Sequence, residues 1–169
     1  MAGLYPGSVD ENWEQEVELV RRSAMEDGAV AIGEIGLDYH YSKESAGLQK
    51  AALKAQLELA AELDLPVNIH LREAENDFFE VLESCRHLGL SGNLHAFSGS
   101  VETFRRIEKY GDWYVGIGGV LTFKNARVAE SLRKIPLDRI VLETDSPYLT
   151  PVPYRGSRNA SSYIPIIAS

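Results

Sequence analysis

The sequence predicts an α/β fold built from consecutive parallel βα units, and three observations predict it. Short apolar runs alternate with longer amphipathic stretches along the chain. The runs are continuously hydrophobic, as in strands buried on both faces. Residues able to do chemistry directly follow several runs, as they do at the C-terminal ends of strands in parallel folds.

Taken in order, Ala2 to Tyr5 reads as the end of a strand. Trp13, Val17, Val20 and Ala24 then fall at helical spacing and form one apolar stripe. Ala29 to Ile32 is the next strand. Leu48, Ala52, Ala55, Leu59 and Leu63 mark a longer helix, and Leu65 to Ile69 the strand after it. Phe78, Val81, Leu82 and Cys85 form a third stripe, followed by a weaker strand at Ser91 to Leu94. Val101, Phe104 and Ile107 form a fourth stripe, with Ser100 as its N-cap. The remaining elements are a strand at Trp113 to Ile117, a helix carrying Val128 and Leu132, and a strand at Ile140 to Leu142. That makes about six strands. Residues 151–163 are rich in Pro, Arg, Gly, Ser and Asn and read as a loop, and Tyr163 to Ala168 begins a further helix. No linker or close repeat interrupts the rhythm, so residues 1–169 are expected to form a single domain.

A complete (β/α)₈ barrel takes roughly 250 residues, and this chain has 169. Its 17 basic and 25 acidic residues give a formal net charge of -8, which disfavours a protein that coats nucleic acid through a basic surface. An enzyme that cuts phosphate esters remains compatible, because carboxylates that hold cations count as negative until the cations bind. Cys85 is the only cysteine, which excludes an intrachain disulfide and suits a reducing compartment; its place on an apolar stripe marks it as a buried, inert thiol. No signal-peptide pattern or membrane-length apolar run is present, and a cytoplasmic location is the expectation.

The residues that end the runs carry the chemistry. The strand reaching Gly33 ends in Glu34, the next in His70, the weak one in His95, and the last in Glu143, Thr144 and Asp145. Glu34, His70, His95 and Asp145 are separated by 36, 25 and 50 residues, or one, one and two βα units. Such a spacing delivers them to one rim. Imidazole with carboxylate suits Zn²⁺, Mn²⁺ or a related divalent ion, and a carboxylate such as Glu34 could bridge two of them. Singly, each acidic residue is most often a helix cap or a solvated loop charge, and each histidine a hydrogen-bonded structural group; the rim gives them joint meaning. His87 reads as a solvated helix-end cation. His40 lies in a loop and faces either substrate or water.

These residues sit in stretches that resemble a known family. Gly33-Glu34-Ile35-Gly36-Leu37-Asp38-Tyr39, Pro66-Val67-Asn68-Ile69-His70-Leu71-Arg72-Glu73-Ala74, Asn93-Leu94-His95-Ala96-Phe97-Ser98-Gly99 and Leu142-Glu143-Thr144-Asp145-Ser146-Pro147-Tyr148-Leu149 resemble, in order and spacing, four signatures of the TatD-type metal-dependent deoxyribonucleases. The resemblance implies a TIM-type (β/α) barrel of the metal-dependent hydrolase kind. It implies hydrolysis of DNA phosphodiester bonds, by 3′-5′ exonuclease action in the full-length protein, with up to two divalent ions (Mg²⁺, Mn²⁺ or Zn²⁺). Glu34, His70, His95 and Asp145 become metal ligands, with Glu34 and Asp145 catalytic and Asp145 orienting or deprotonating the attacking water. Glu143 would support the ligands and Asp38 would stabilise a loop. Arg72 meets a phosphate or, alternatively, pairs with Glu73 or Glu75 at the surface. Tyr5, His40 and Arg155 join Arg72 as substrate-binding residues, and Gly116 to Gly119 becomes the close-packed end of the penultimate strand.

The chain also departs from the family. The family opens with a strand ending in His-x-His, and that motif is absent here. Leu4-Tyr5-Pro6 stands where many relatives carry Gly-x-His-Pro, and Ala160-Ser161-Ser162 replaces the usual Glu-Pro after Asn159. The expectation is an incomplete barrel lacking its first two strands, a fragment with weak activity or none. The alternatives are a non-catalytic remnant, a subunit that needs a partner chain or self-associates through open edges, and a small-molecule metal hydrolase.

Overall fold

The computed structural model describes residues 1–169. Its elements are α1 (Trp13–Glu26), β1 (Ile32–Asp38), α2 (Ala46–Glu62), β2 (Val67–Arg72), α3 (Glu75–Ser84), β3 (Ser91–Leu94), α4 (Val101–Ile107), β4 (Asp112–Ile117), α5 (Val128–Leu132), β5 (Ile140–Leu142) and α6 (Ile164–Ala168). The five strands follow the sheet order β1-β2-β3-β4-β5. Sheet order equals chain order, so the winding never reverses. A doubly wound sheet would show a switch point, whereas a (β/α) barrel has none. No helix is long and apolar enough to cross a membrane.

The chain divides into two compact units, Met1–Asn93 with Lys109–Asp112, and Leu94–Glu108 with Trp113–Ser169. In the first, β1 and β2 pair in parallel. Helix α2 buries Ala52, Leu53, Leu57, Leu59 and Ala60; of the stripe expected from sequence only Ala52 and Leu59 are buried, while Leu48, Ala55 and Leu63 are half-buried, so the buried face is turned toward Leu53 and Leu57. Helix α3 buries Phe78, Phe79, Val81 and Leu82, and Cys85 just beyond it is buried as well. His87 lies exposed in a short 3-10 turn.

The strand expected at Ala2 to Tyr5 is reduced to a single parallel bridge, Ala2 to Ile32. Two physical causes are visible. Pro6 has no N–H to give and starts a 3-10 turn. The backbone of Leu4 is taken by a helix side chain instead: its N–H donates to Gln56 Oε1 at 2.7 Å, and Gln56 Nε2 donates to its carbonyl at 3.3 Å.

Strand β1 is displaced from its expected position. It begins at Ile32 and runs on to Asp38, so Glu34 does not end it. Gly33 and Gly36 both serve strand packing. A β-carbon on Gly33 would meet Asn68 at 2.7 Å, and one on Gly36 would lie 1.8 Å from the His70 carbonyl oxygen. The ladder pairs Gly33 with Asn68 and Ile35 with Ile69, leaving Glu34 as an unpaired bulge residue. Likewise β2 continues through His70 to Arg72.

In the second unit β4 and β5 pair in parallel, with Val115 opposite Ile140 and Ile117 opposite Leu142. Trp113, Val115, Phe104 and Ile107 form its buried centre. Ser100 caps α4 by accepting the Thr103 N–H at 3.2 Å, as its sequence position predicts. Gly119 packs so tightly that a β-carbon would lie 2.1 Å from the Leu149 carbonyl oxygen. The loop after β5 closes on buried Asn159, whose Nδ2 donates to the Tyr148 carbonyl and whose N–H donates to that of Pro147.

Candidate metal centre

In the first unit, β1 and β2 bring one imidazole between two carboxylates. His70 Nδ1 lies 2.9 Å from Glu34 Oε1, and Nε2 lies 2.9 Å from Asp38 Oδ2. The bulge supplies Glu34, and the strand that continues past it supplies Asp38 two residues beyond Gly36. Asp38 Oδ1 also accepts the His40 N–H at 2.9 Å. The Tyr5 hydroxyl reaches Asp38 Oδ2 at 3.5 Å, and its ring meets the His70 ring edge-on at 5.1 Å.

The electrostatics follow from this packing. Burial alone would lower the His70 pKa, but hydrogen bonds to Glu34 and Asp38 outweigh it and raise the imidazole above its usual value. Burial alone would raise Asp38; the His40 N–H and the His70 ring outweigh it and hold the carboxyl below the usual range. Tyr5 is pushed up by burial and then by the negative charges of Asp38 and Glu34. The cluster is thus a partly buried anionic seat that stabilises positive charge.

The second unit repeats the composition. His95 directly follows β3, and its Nδ1 lies 2.9 Å from Glu143 Oε1. Its Nε2 lies 3.6 Å from Asp145 Oδ1, beyond hydrogen-bond range. Glu143 is fixed twice: its N–H donates to the Ile117 carbonyl, extending the β4–β5 ladder, and its Oε1 accepts the Ala96 N–H at 2.6 Å. A carboxylate on Nδ1 sets the imidazole orientation and turns Nε2 toward Asp145, the support commonly seen behind a ligating histidine.

The donor chemistry fits a divalent ion: each unit offers one imidazole with two carboxylates. As placed, no three His, Cys, Asp or Glu side chains converge on a common point. Within the first unit the cause is plain, since both His70 nitrogens already face carboxylates.

The other predicted residues are distributed as follows. Tyr5 joins the His70 cluster. His40 and Arg72 flank it: His40 Nδ1 lies 2.7 Å from Glu73 Oε1, and the Arg72 guanidinium lies 5.9 Å from the Tyr41 ring centre. Arg155, in the second unit, stacks on Phe123 at 3.9 Å. Asp38, read from sequence as a loop stabiliser, is a direct partner of His70. Alternation along one strand would have put positions 36 and 38 on one face, had the strand been extended past Gly36.

A singly wound parallel sheet with imidazole–carboxylate clusters around its strand ends has the makings of a metal-dependent hydrolase barrel. The chain belongs to the TatD related DNase family, whose sequence profile matches residues 1–169. It is 38% identical over 167 residues to the uncharacterized metal-dependent hydrolase YabD of Bacillus subtilis, covering 98% of this chain and 65% of that protein. It is 38% identical over 173 residues to the 3′-5′ ssDNA/RNA exonuclease TatD of Pantoea ananatis, covering 98% and 66%. The crystal structure of YJJV, a TatD homologue from Escherichia coli K12, superposes with a TM-score of 0.87 at 28% identity, over 98% of this chain and 64% of the other. The chain therefore spans about two thirds of the length of the proteins it matches.

Proposed function

We propose that residues 1–169 are a partial metal-dependent hydrolase barrel domain, and that the protein hydrolyses phosphodiester bonds of single-stranded DNA from the 3′ end with divalent metal. The observation that supports this best is the pair of clusters just described, above all His70 held between Glu34 and Asp38 at 2.9 Å on either side. The name of the Pantoea relative supports the substrate class.

In this reading Glu34 and His70, and His95 and Asp145, hold the metal, up to two ions of Mg²⁺, Mn²⁺ or Zn²⁺. When bound, the metal polarises a phosphate oxygen and lowers the pKa of a water toward neutrality. The protein does the rest. Asp145, more exposed than the other ligands, orients the water and accepts its proton. Glu143 holds His95 in register. Asp38 keeps the far nitrogen of His70 occupied and its ring fixed. Arg72 offers a planar fork to phosphate oxygens, and Tyr5 donates its hydroxyl beside it.

The test is digestion of a 5′-labelled single strand with Mn²⁺, with and without chelator, alongside measurement of bound manganese. The proposal expects stepwise 3′ shortening that chelator abolishes, and loss of both turnover and bound metal in His95→Ala. Full turnover by His95→Ala would defeat the ligand assignment. The net charge of -8 favours one competing reading, a small phosphoester or amide as substrate. Metal-dependent turnover of small esters with no cleavage of any strand would select it.

A further inference from the structure

Three residues beyond Asp38 stands a side chain that folding does not account for. Tyr39 turns inward, and its hydroxyl donates to Asp77 Oδ2 at 2.8 Å. Tyr41 turns outward and is 89% exposed. A ring in that position contributes almost nothing to the core. Its neighbours are nevertheless ordered around it. The His40 ring meets it edge-on at 4.8 Å and 75°, and the Arg72 guanidinium lies 5.9 Å from its centre. His40 is itself pinned, by its N–H to Asp38 Oδ1 and by Nδ1 against Glu73 Oε1. Glu73 reaches that position from a left-handed backbone, φ +56°, which a non-glycine residue adopts only when its surroundings impose it. The result is a largely open aromatic ring with an imidazole packed at right angles to it and a guanidinium over it at 5.9 Å.

Such a ring suits a flat, π-faced ligand. The same chain segment carries Asp38, the partner of His70, and the next strand carries both His70 and Arg72. A flat ligand joined to a phosphate would therefore engage the ring and the guanidinium together. We infer that Tyr41 is the stacking platform for an unpaired nucleobase of the bound strand, flanked by His40 and Arg72. This rests on the reading of the protein as a nucleic-acid hydrolase and adds the source of its strand preference. A base inside a duplex has both faces occupied by its neighbours and must be unstacked before it can lie on Tyr41.

The test uses a short single strand made resistant to cleavage by phosphorothioate linkages, carrying 2-aminopurine near its 3′ end, and a matched strand with abasic sites in place of those bases. Binding is titrated in Mg²⁺ with wild type, Tyr41→Ala and Tyr41→Phe. The expected result is 2-aminopurine quenching on wild type and Tyr41→Phe but not on Tyr41→Ala. Tyr41→Ala should bind the base-bearing strand about tenfold more weakly, within the range for one stacked base, and the abasic strand unchanged. Equal affinity of Tyr41→Ala and wild type, equal weakening on both strands, or no strand binding at all overturns the platform. Cleavage of an unprotected abasic strand in Mn²⁺ separates the two claims. If that strand is cut while base-dependent binding is absent, the hydrolase reading stands and the platform falls. If base-dependent binding persists with no metal-dependent cleavage, the reverse holds.

Discussion

Gly36 stands opposite His70 in the β1–β2 ladder, at a backbone φ of +147°, so close that a β-carbon would come within 1.8 Å of the His70 carbonyl oxygen. Gly36→Ala must therefore push β1 away from β2 where His70 is held between Glu34 and Asp38. A loss of about 3 kcal/mol or more in unfolding free energy is expected, as for strain at a special backbone position. Urea unfolding followed by circular dichroism measures it, and an unchanged midpoint would contradict the packing described.

Glu143 and His95 define the second prediction. Glu143→Ala removes the acceptor for both the Ala96 N–H and His95 Nδ1. Manganese affinity should fall about 10- to 100-fold, as for lost partners of metal-ligating histidines. Glu143→Gln keeps one acceptor oxygen and should lie between. Isothermal titration with Mn²⁺ decides; identical affinity in wild type and Glu143→Ala would remove Glu143 from any positioning role.

Gln56 is 1% exposed and satisfies both backbone groups of Leu4. Gln56→Leu fits the volume but strands a donor and an acceptor away from water, at a cost of about 2–4 kcal/mol. Hydrogen exchange should report it locally, with the Leu4 amide losing protection first. Retained protection at Leu4 would show that other groups hold this segment.

Cys85 yields a pH prediction. Burial raises its thiol above the ordinary 9.0, with Glu58 adding to the shift and Ser84 and Lys54 opposing it. Between 9.0 and that raised value the unfolded chain gives up the proton while the folded chain keeps it. Stability carried by the neutral thiol is therefore complete below pH 9 and declines as pH rises through that window. Comparing unfolding free energies of wild type and Cys85→Ala at pH 7.5 and 10 isolates the effect. The gap between them should shift against wild type at the higher pH, and a constant gap would refute it.

Much of this was legible in the amino-acid order where one local rule acted alone. β5 lies where its apolar run predicts, β4 begins one residue before its own, and Ser100 caps α4 as a serine ahead of an apolar stripe should. Of the four expected rim residues, His95 follows its strand directly, while Glu34 and His70 lie within theirs; the structure pairs Glu34 with His70 and sets Asp145 near His95. The reading went astray where tertiary contact overrode a local signal. Nothing in the amino-acid order shows that Gly33 and Gly36 lie where β2 approaches too closely for anything larger. From sequence the strand ends at Glu34 and, through the family resemblance, Asp38 is a loop residue, whereas β1 continues to Asp38 and sets it against His70. Ala2 to Tyr5 looked like a strand because nothing local reveals that Gln56, far along the chain, occupies the backbone of Leu4.

The bulge at Glu34 also changes which residue numbers form the inward face of β1. Before it an even-numbered residue, Ile32, shares a face with Val67; after it odd-numbered ones, Ile35 and Leu37, share that same face with Ile69 and Leu71. One supernumerary residue thus lets the strand switch parity without turning its greasy side outward. Losing Glu34 alone would splice Gly33 to Ile35 in an unbroken ladder and leave Ile35, Leu37 and Asp38 on the sides they already hold, so what the extra residue adds to the sheet is its own carboxylate.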